Sequence, residues 1–302
     1  MRIFTKPWIL FPVIAVAIGC LAFFLAWRRR PVTNSELVRM LPHQDDALFF
    51  VDFTLLRRAG IIKLLSPAAK GSPEYTQFVR QTDFDYSKDI DAIAGAVNGD
   101  QFVFLIRGQF DWRSLRRYAM HHGGHCKHKL CRVPALEPDR WISFRPLRSD
   151  VMVLRIGRPL SAKSKWVGEA SGDPIPQAPV WIKLFPHVLH NPKRLPLALR
   201  FFATALEPAR SVILSLQAAR SGSGDAFQIQ LHAQCASAAT ATAIANQLQL
   251  DTKFLKLALT RKHPNTSSTT LAEVLLAAKF HSAGTEAMGV WPVSKALVHS
   301  LE

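Results

Sequence analysis

The segment HHGGHCKHKLC, residues 121–131, brings four histidines and two cysteines into one short run. Imidazole nitrogens and thiolate sulfurs are the ligands zinc prefers. A tetrahedral set could be drawn from His121, His122, His125, Cys126, His128 and Cys131. Structural zinc sites recruit a second ligand pair from a distant segment, however, and no second close cysteine pair exists here. The spacing has another use. Cys126 and Cys131 are separated by four residues. A four-residue turn between two strands would set them opposite one another. Paired strand Cα atoms lie roughly 4.5–5.5 Å apart, within disulfide reach. A disulfide is the favoured reading and zinc the alternative cofactor; no other cofactor is expected. The choice is tied to compartment, because structural disulfides persist only where the environment is oxidising.

Elsewhere the chemistry is sparse. The chain contains no GxSxG, Walker-type loop, HExxH or GxGxxG. DFDYSKDID clusters Asp83, Asp85, Ser87, Asp89 and Asp91, but a calcium loop fails on spacing. Its sixth position would be Lys88, not Gly, and its twelfth Ala94, not Glu. These acids read as helix caps or turn formers. The sequon at Asn265 sits in a plain Ser/Thr loop. Cys235, at a strand end, reads as a small buried hydrophobe. No nucleophile–base set can be read, so no catalytic residue is assigned and the expectation is a non-enzymatic protein. An enzyme of unrecognised class is a second alternative.

The elements around the cluster are legible. DWRSLRRYAMHH is an amphipathic helix, with Trp112, Leu115 and Ala119 on one side and Arg113, Arg116 and Arg117 on the other. Those three arginines are the candidate contact for an anionic surface, and Gly123 and Gly124 stop the helix. Before it, DAIAGAV and QFVFLIRG flank Asn98–Gly99, a strong hairpin signal. DALFFVDF reads as a buried strand, and SPEYTQFVRQ as a helix with Pro73 in its first turn. RWISFRPL and DVMVLRIG form a further strand pair. GEASGDPIPQAP, residues 168–179, has three prolines and no periodicity, and reads as a linker. Beyond it PVWIKL is a strand, and SVILSLQAAR and AFQIQLHAQC form a second hairpin with period-two alternation. A long helix follows, with Ile244, Leu248, Leu255 and Leu259 on one stripe; then comes an extended stretch, and SKALVHSL as a terminal helix.

Both halves share the order strand, helical segment, hairpin, helix, further strands. The expected fold class is α+β: two similar units, 31–167 and 180–302, each with an antiparallel sheet packed against helices. Ahead of them stands a membrane anchor, residues 1–30. From Pro7 to Trp27 there is no charge, and Trp8 and Trp27 sit at the ends. At about 1.5 Å per residue a helix of that length crosses a core of roughly 30 Å. The run closes in AWRRRP, a poor cleavage context for a signal peptide. An acylated Cys20 is opposed by the apolar LAFFLAW that follows it. The flanking cations Arg2 and Lys6 nearly balance Arg28, Arg29, Arg30 and Arg39. The positive-inside rule thus leans only slightly towards a cytoplasmic body, and the cysteine pair outweighs it.

The 302 residues carry a formal charge of +16, with 48% hydrophobic and 20% charged residues, the composition of a folded chain. The charge suits acidic lipid or another polyanion; a solvated basic surface accounts for it without a nucleic-acid site. LPHQDDALFFVDFTLLRRAGIIKLL together with GDQFVFLIRGQFDWRSLRRYAMHHGG resembles bacterial membrane-anchored proteins with an extracytoplasmic duplicated α+β body and no assigned activity. The resemblance implies an anchor and an outward-facing, periplasmic body, and carries no site residues. The expected protein is therefore a single-pass envelope protein that holds the bilayer through residues 7–27. Its body binds or organises an unassigned partner, anionic lipid or another envelope protein.

Overall fold

Strand β1 (Ala47–Asp52) is the axis of the fold. A computed structural model describes residues 30–42, 46–62, 72–158, 174–191, 200–219, 225–262 and 276–294, with Leu195 and Val274 besides. The expected anchor at 7–27, Cys20, Asn265 and the terminal helix lie outside the described residues, as does 168–173 of the expected linker. Among the described residues no helix is long and apolar enough to cross a membrane.

The remaining strands are β2 (Ile90–Asn98), β3 (Gln101–Gly108), β4 (His125–Lys127), β5 (Leu130–Pro134), β6 (Trp141–Pro146), β7 (Val151–Gly157), β8 (Val180–Leu184), β9 (Ser211–Ala218), β10 (Asp225–Gln234), β11 (Lys279–Ala283) and β12 (Glu286–Ser294). They form one sheet in the order β11-β12-β10-β9-β8-β1-β2-β3-β7-β6-β5-β4. Every pairing is antiparallel. The fold is thus mixed α+β with a large antiparallel sheet. Where a sheet for each unit was expected, the two halves share one, because β1 pairs with β8 from Ala47↔Leu184 to Val51↔Val180. Left apart, β1 and β8 would each be a bare edge with a row of unpaired backbone groups. Asn34–Glu302 accordingly form one compact unit.

Register and the two-residue side-chain period sort the core into faces. One cross-strand row runs Ser215, Trp181, Phe50, Ala94, Leu105, Val153. All six are at most 5% exposed, and the Phe50 and Trp181 rings stack at 6.1 Å across the seam. Helix α1 (Asn34–Arg39) packs on β2 and β3 with Leu37 and Val38 buried. Its Asn34 Nδ2 donates to Asp52 Oδ2 at 2.8 Å. Asp52 also N-caps α2 (Phe53–Arg58) through Leu55 N, 2.8 Å away.

The opposite face carries the longer helices. α3 (Pro73–Thr82) is capped by Ser72 with Pro73 in its first turn, as expected. α4 (Tyr86–Asp89) starts from Asp85, and α5 spans Trp112–His121. α6 (Pro186–Leu189), α7 (Ala203–Leu206) and α8 (Ala238–Lys262) serve the second half. On α8 the buried stripe is Ala241, Ile244, Leu248 and Thr252. Leu255, expected on it, is only half-buried, and the side chain of Leu259 is outside the described residues. The stretch after α8 is a hairpin, β11–β12, rather than simply extended.

The DFDYSKDID acids serve local geometry. Asp83 closes α3 in the left-handed conformation at φ 55°. Asp85 Oδ1 accepts from Ser87 N at 2.9 Å, Ser87 Oγ at 2.6 Å and Tyr75 Oη at 2.9 Å. Burial pushes the Asp85 carboxyl up, but those hydrogen bonds outweigh it and hold it below the ordinary range. The expected Asn98–Gly99 turn is shifted by one residue. Asn98 pairs with Gln101, so the loop is Gly99–Asp100, with Gly99 at φ 55° in the first turn position. The buried Asp46 carboxylate holds it there by accepting from Gly99 N at 2.5 Å, and bonds the His187 ring from the other half.

A shared sheet predicts shared cooperativity. Trp181→Ala, which empties a site 3% exposed, is expected to cost about 3–5 kcal/mol. Unfolding followed by circular dichroism and by labelling of the buried Cys235 thiol should remain coincident. Reactivity of Cys235 at a denaturant concentration where the Cys126–Cys131 half stays folded would contradict this.

Candidate functional site: a disulfide-clipped hairpin beside an arginine helix

The hairpin that carries the cluster is tighter than expected. Lys127 pairs with Leu130, leaving a two-residue loop, His128–Lys129, in place of the four-residue turn, with His128 at φ 55°. In a two-residue hairpin the closing pair is hydrogen-bonded. The next pair outward, Cys126↔Cys131, is then the non-hydrogen-bonded one, whose side chains lie closer. Their Cα atoms are 4.1 Å apart, and the two sulfurs form a disulfide. Register also places the pair at the end of a row of Phe49, Gly95, Phe104, Leu154, Phe144 and Cys131 on the face that bears α5. Gly95 leaves room in that row for the Phe49 ring, which would lie 2.1 Å from a Cβ there.

Helix α5 is built for this position. Asp111 caps it, accepting from Arg113 N at 2.9 Å and Ser114 N at 3.4 Å. The hydrogen bond from Ser114 Oγ, then that from Arg113 N, lowers the Asp111 carboxyl below its ordinary range. Leu115 and Ala119 face inward at 7% and 0% exposure, while Arg113, Arg116 and Arg117 are exposed. The helix ends at Gly123, φ 73°, and Gly124 N donates to Ala119 O at 2.9 Å. A Cβ on Gly124 would sit 2.6 Å from both Ala119 O and Arg132 O. Glycine therefore lets the end of α5 lie directly on the disulfide hairpin.

The histidines are dispersed around this joint. His121 is exposed in the last turn. His122 Nδ1 is 2.9 Å from Tyr118 O, and its ring stacks on Tyr118 at 4.0 Å. His125 meets Trp141 edge-on at 5.8 Å, and His128 occupies the turn. Cys126 and Cys131, joined to one another, present no thiolate. Among the described residues no group of three or more His, Cys, Asp or Glu side chains is arranged to hold a metal ion.

What the joint does concentrate is positive charge. Arg113, Arg116 and Arg117 on α5 and Lys127 and Lys129 on the hairpin are all exposed. Among the described residues none of the five makes an ion pair. The two lysines were missed in sequence. The alternation in CKHKLC sends Cys126 to the face that bears α5 and Lys127 to the opposite one, while Lys129 stands in the loop between the strands. A cleft of about 480 Å³ lies under this joint, lined by Trp112, Arg116, Lys129, Phe144, Pro146 and Leu147, among others.

Fold and site together define an α+β protein whose helix-covered antiparallel sheet ends in a cationic, disulfide-clipped hairpin. No family model matches the chain, and no curated protein does. Among solved structures it is similar in fold to TP0453. Crystal form I superposes at a TM-score of 0.47 with 13% identity, covering 90% of this chain and 99% of that one. Crystal form III gives 0.46 and 11%, covering 88% and 97%.

The disulfide is expected to be quantitative in native material. Neither Cys126 nor Cys131 should react with a thiol reagent until reductant is added, and Cys126→Ser with Cys131→Ser should cost about 2 kcal/mol. Full labelling of both without reductant, or stoichiometric zinc lost on Cys126→Ser, would contradict the pairing.

Proposed function

We propose that this chain is a non-enzymatic, single-pass envelope protein whose body lies outside the cytoplasm and docks on an acidic surface near the membrane. The observation that carries the reading is the disulfide between Cys126 and Cys131 within the cationic joint. A bond of this kind persists in an oxidising compartment, which supports an outward-facing body and outweighs the nearly balanced arginines around residues 7–27. Arg113, Arg116 and Arg117 on α5, with Lys129 in the hairpin loop, supply the contact. Near an anionic leaflet each basic residue contributes about 1 kcal/mol, so four are ample for reversible docking.

The body reads as a structural duplication, supported by connection order. Outward from the seam, β1-β2-β3-β7-β6 mirrors β8-β9-β10-β12-β11, with α5 after β3 and α8 after β10. Under this correspondence β4–β5 has no counterpart among the described residues. It is also the element that carries the disulfide, Lys127 and Lys129.

Docking predicts a salt signature. The body from Asn34 onward should bind anionic vesicles and not neutral ones. Binding should fade as the Debye length falls from about 10 Å at 0.1 M salt towards 3 Å at 1 M. Arg113→Gln, Arg116→Gln and Arg117→Gln together should weaken it at least tenfold. Equal binding to both vesicle types, or indifference to salt, would overturn the reading.

A further inference from the structure

The cationic joint encloses a cleft as well as presenting a surface. Its floor is apolar: Trp112 from the first turn of α5, Phe144 and Pro146 from β6, and Leu147 beyond. Its mouth is cationic: exposed Arg116 lies one helical turn after Trp112, and exposed Lys129 lines the cleft from the hairpin loop. Arg148 also lines it, with Asp150 3.7 Å away as a partial counter-charge. Among the described residues neither Arg116 nor Lys129 has a carboxylate partner and no acid lines the cleft. Its volume, about 480 Å³, lies in the usual range of small-ligand sites.

The walls are packed and cross-linked. Trp112 is the terminal ring of a packed series, 5.1 Å from Phe110, which stacks on Phe84 at 5.5 Å. Phe144 belongs to the same apolar cluster. The disulfide fixes the hairpin whose loop bears Lys129, and Cys131 is itself a lining residue. An apolar slot with two uncompensated cations at its mouth is complementary to one ligand shape: a single anionic head on an apolar chain. A free anion would leave the aromatic floor wet, and a neutral chain would leave Arg116 and Lys129 unanswered.

We propose that this cleft takes one acidic membrane lipid, its phosphate between Arg116 and Lys129 and the first part of an acyl chain on Trp112, Phe144 and Leu147. The proposal rests on the reading of this face as one that meets an acidic surface, and turns a diffuse attraction into a stoichiometric one. Arg113 and Arg117, on the same helix but outside the cleft, belong to the diffuse contact alone.

The test uses the full chain with nanodiscs that contain a photoactivatable phosphatidylglycerol or its phosphatidylcholine counterpart. The acidic probe should leave one adduct per chain, mapped by mass spectrometry to the peptides of Trp112, Phe144 or Leu147. The zwitterionic probe should label them at least tenfold less. Arg116→Gln with Lys129→Gln, both exposed positions, should reduce labelling about tenfold, whereas Arg113→Gln with Arg117→Gln should leave it within twofold. Equal labelling by both probes, adducts scattered over α5, displacement by inorganic phosphate alone, or insensitivity to Arg116→Gln with Lys129→Gln would overturn the proposal. Vesicle adsorption is a separate readout. Adsorption intact with scattered adducts removes the cleft alone. Adsorption lost, with Arg116- and Lys129-dependent labelling retained, removes only the diffuse surface reading.

Discussion

The antiparallel pairing of β1 with β8 is the constraint on which the rest of the structure depends. It joins two runs of sheet that would otherwise each present an open edge. It also sets Phe50 against Trp181 in the middle of a buried row that continues unbroken from Ser215 to Val153. Both ends of β1 are closed by buried aspartates that reach other elements. Asp46 bonds the Gly99 turn and the His187 ring, and Asp52 holds Asn34 and caps α2. Such groups are tolerated inside because each is hydrogen-bonded. They tie the hairpin β2–β3, a helix of each half and the seam to one strand.

From that strand outward, register transmits position to the site. Phe49, Gly95, Phe104, Leu154 and Phe144 lie in a row whose last members are the two joined cysteines. The edge hairpin is short and half-exposed. Two covalent facts compensate. The disulfide locks its register, and Gly124, having no Cβ, allows the end of α5 to sit on it. The arginines of α5 and the lysines of the hairpin therefore occupy fixed positions relative to one another, although all of them point into solvent.

Much of this was legible in the residues. Ser72–Pro73, Asp85 and Gly123 marked helix ends because capping chemistry is local, and the structure places caps or stops at each. The strand pairs β2–β3, β6–β7 and β9–β10 followed from apolar runs around turn residues. The errors have one origin. Asn98–Gly99 was off by a residue, and the cysteine turn was two residues long instead of four. Turn register depends on which backbone groups pair, and here Asp46, distant in sequence, helps to decide it. The stripe on α8 held at Ile244 and Leu248, while Thr252 is buried and Leu255 only partly so. The single sheet was invisible for a stronger reason. No local pattern distinguishes a strand that ends a unit from one that pairs with its counterpart in the next, and β1 and β8 read alike either way. The cleft was likewise beyond reach, since Trp112, Lys129 and Phe144 meet only after three elements have packed.

The central claim is that an oxidised, cationic joint faces outward from the membrane. The most direct measurement fuses, after Glu302, a phosphatase that is active only once its own disulfides form. The account predicts full phosphatase activity in intact cells, with a cytoplasm-dependent fluorescent protein at the same position remaining dark. A bright fluorescent fusion with an inactive phosphatase would place the body in the cytoplasm and contradict the account.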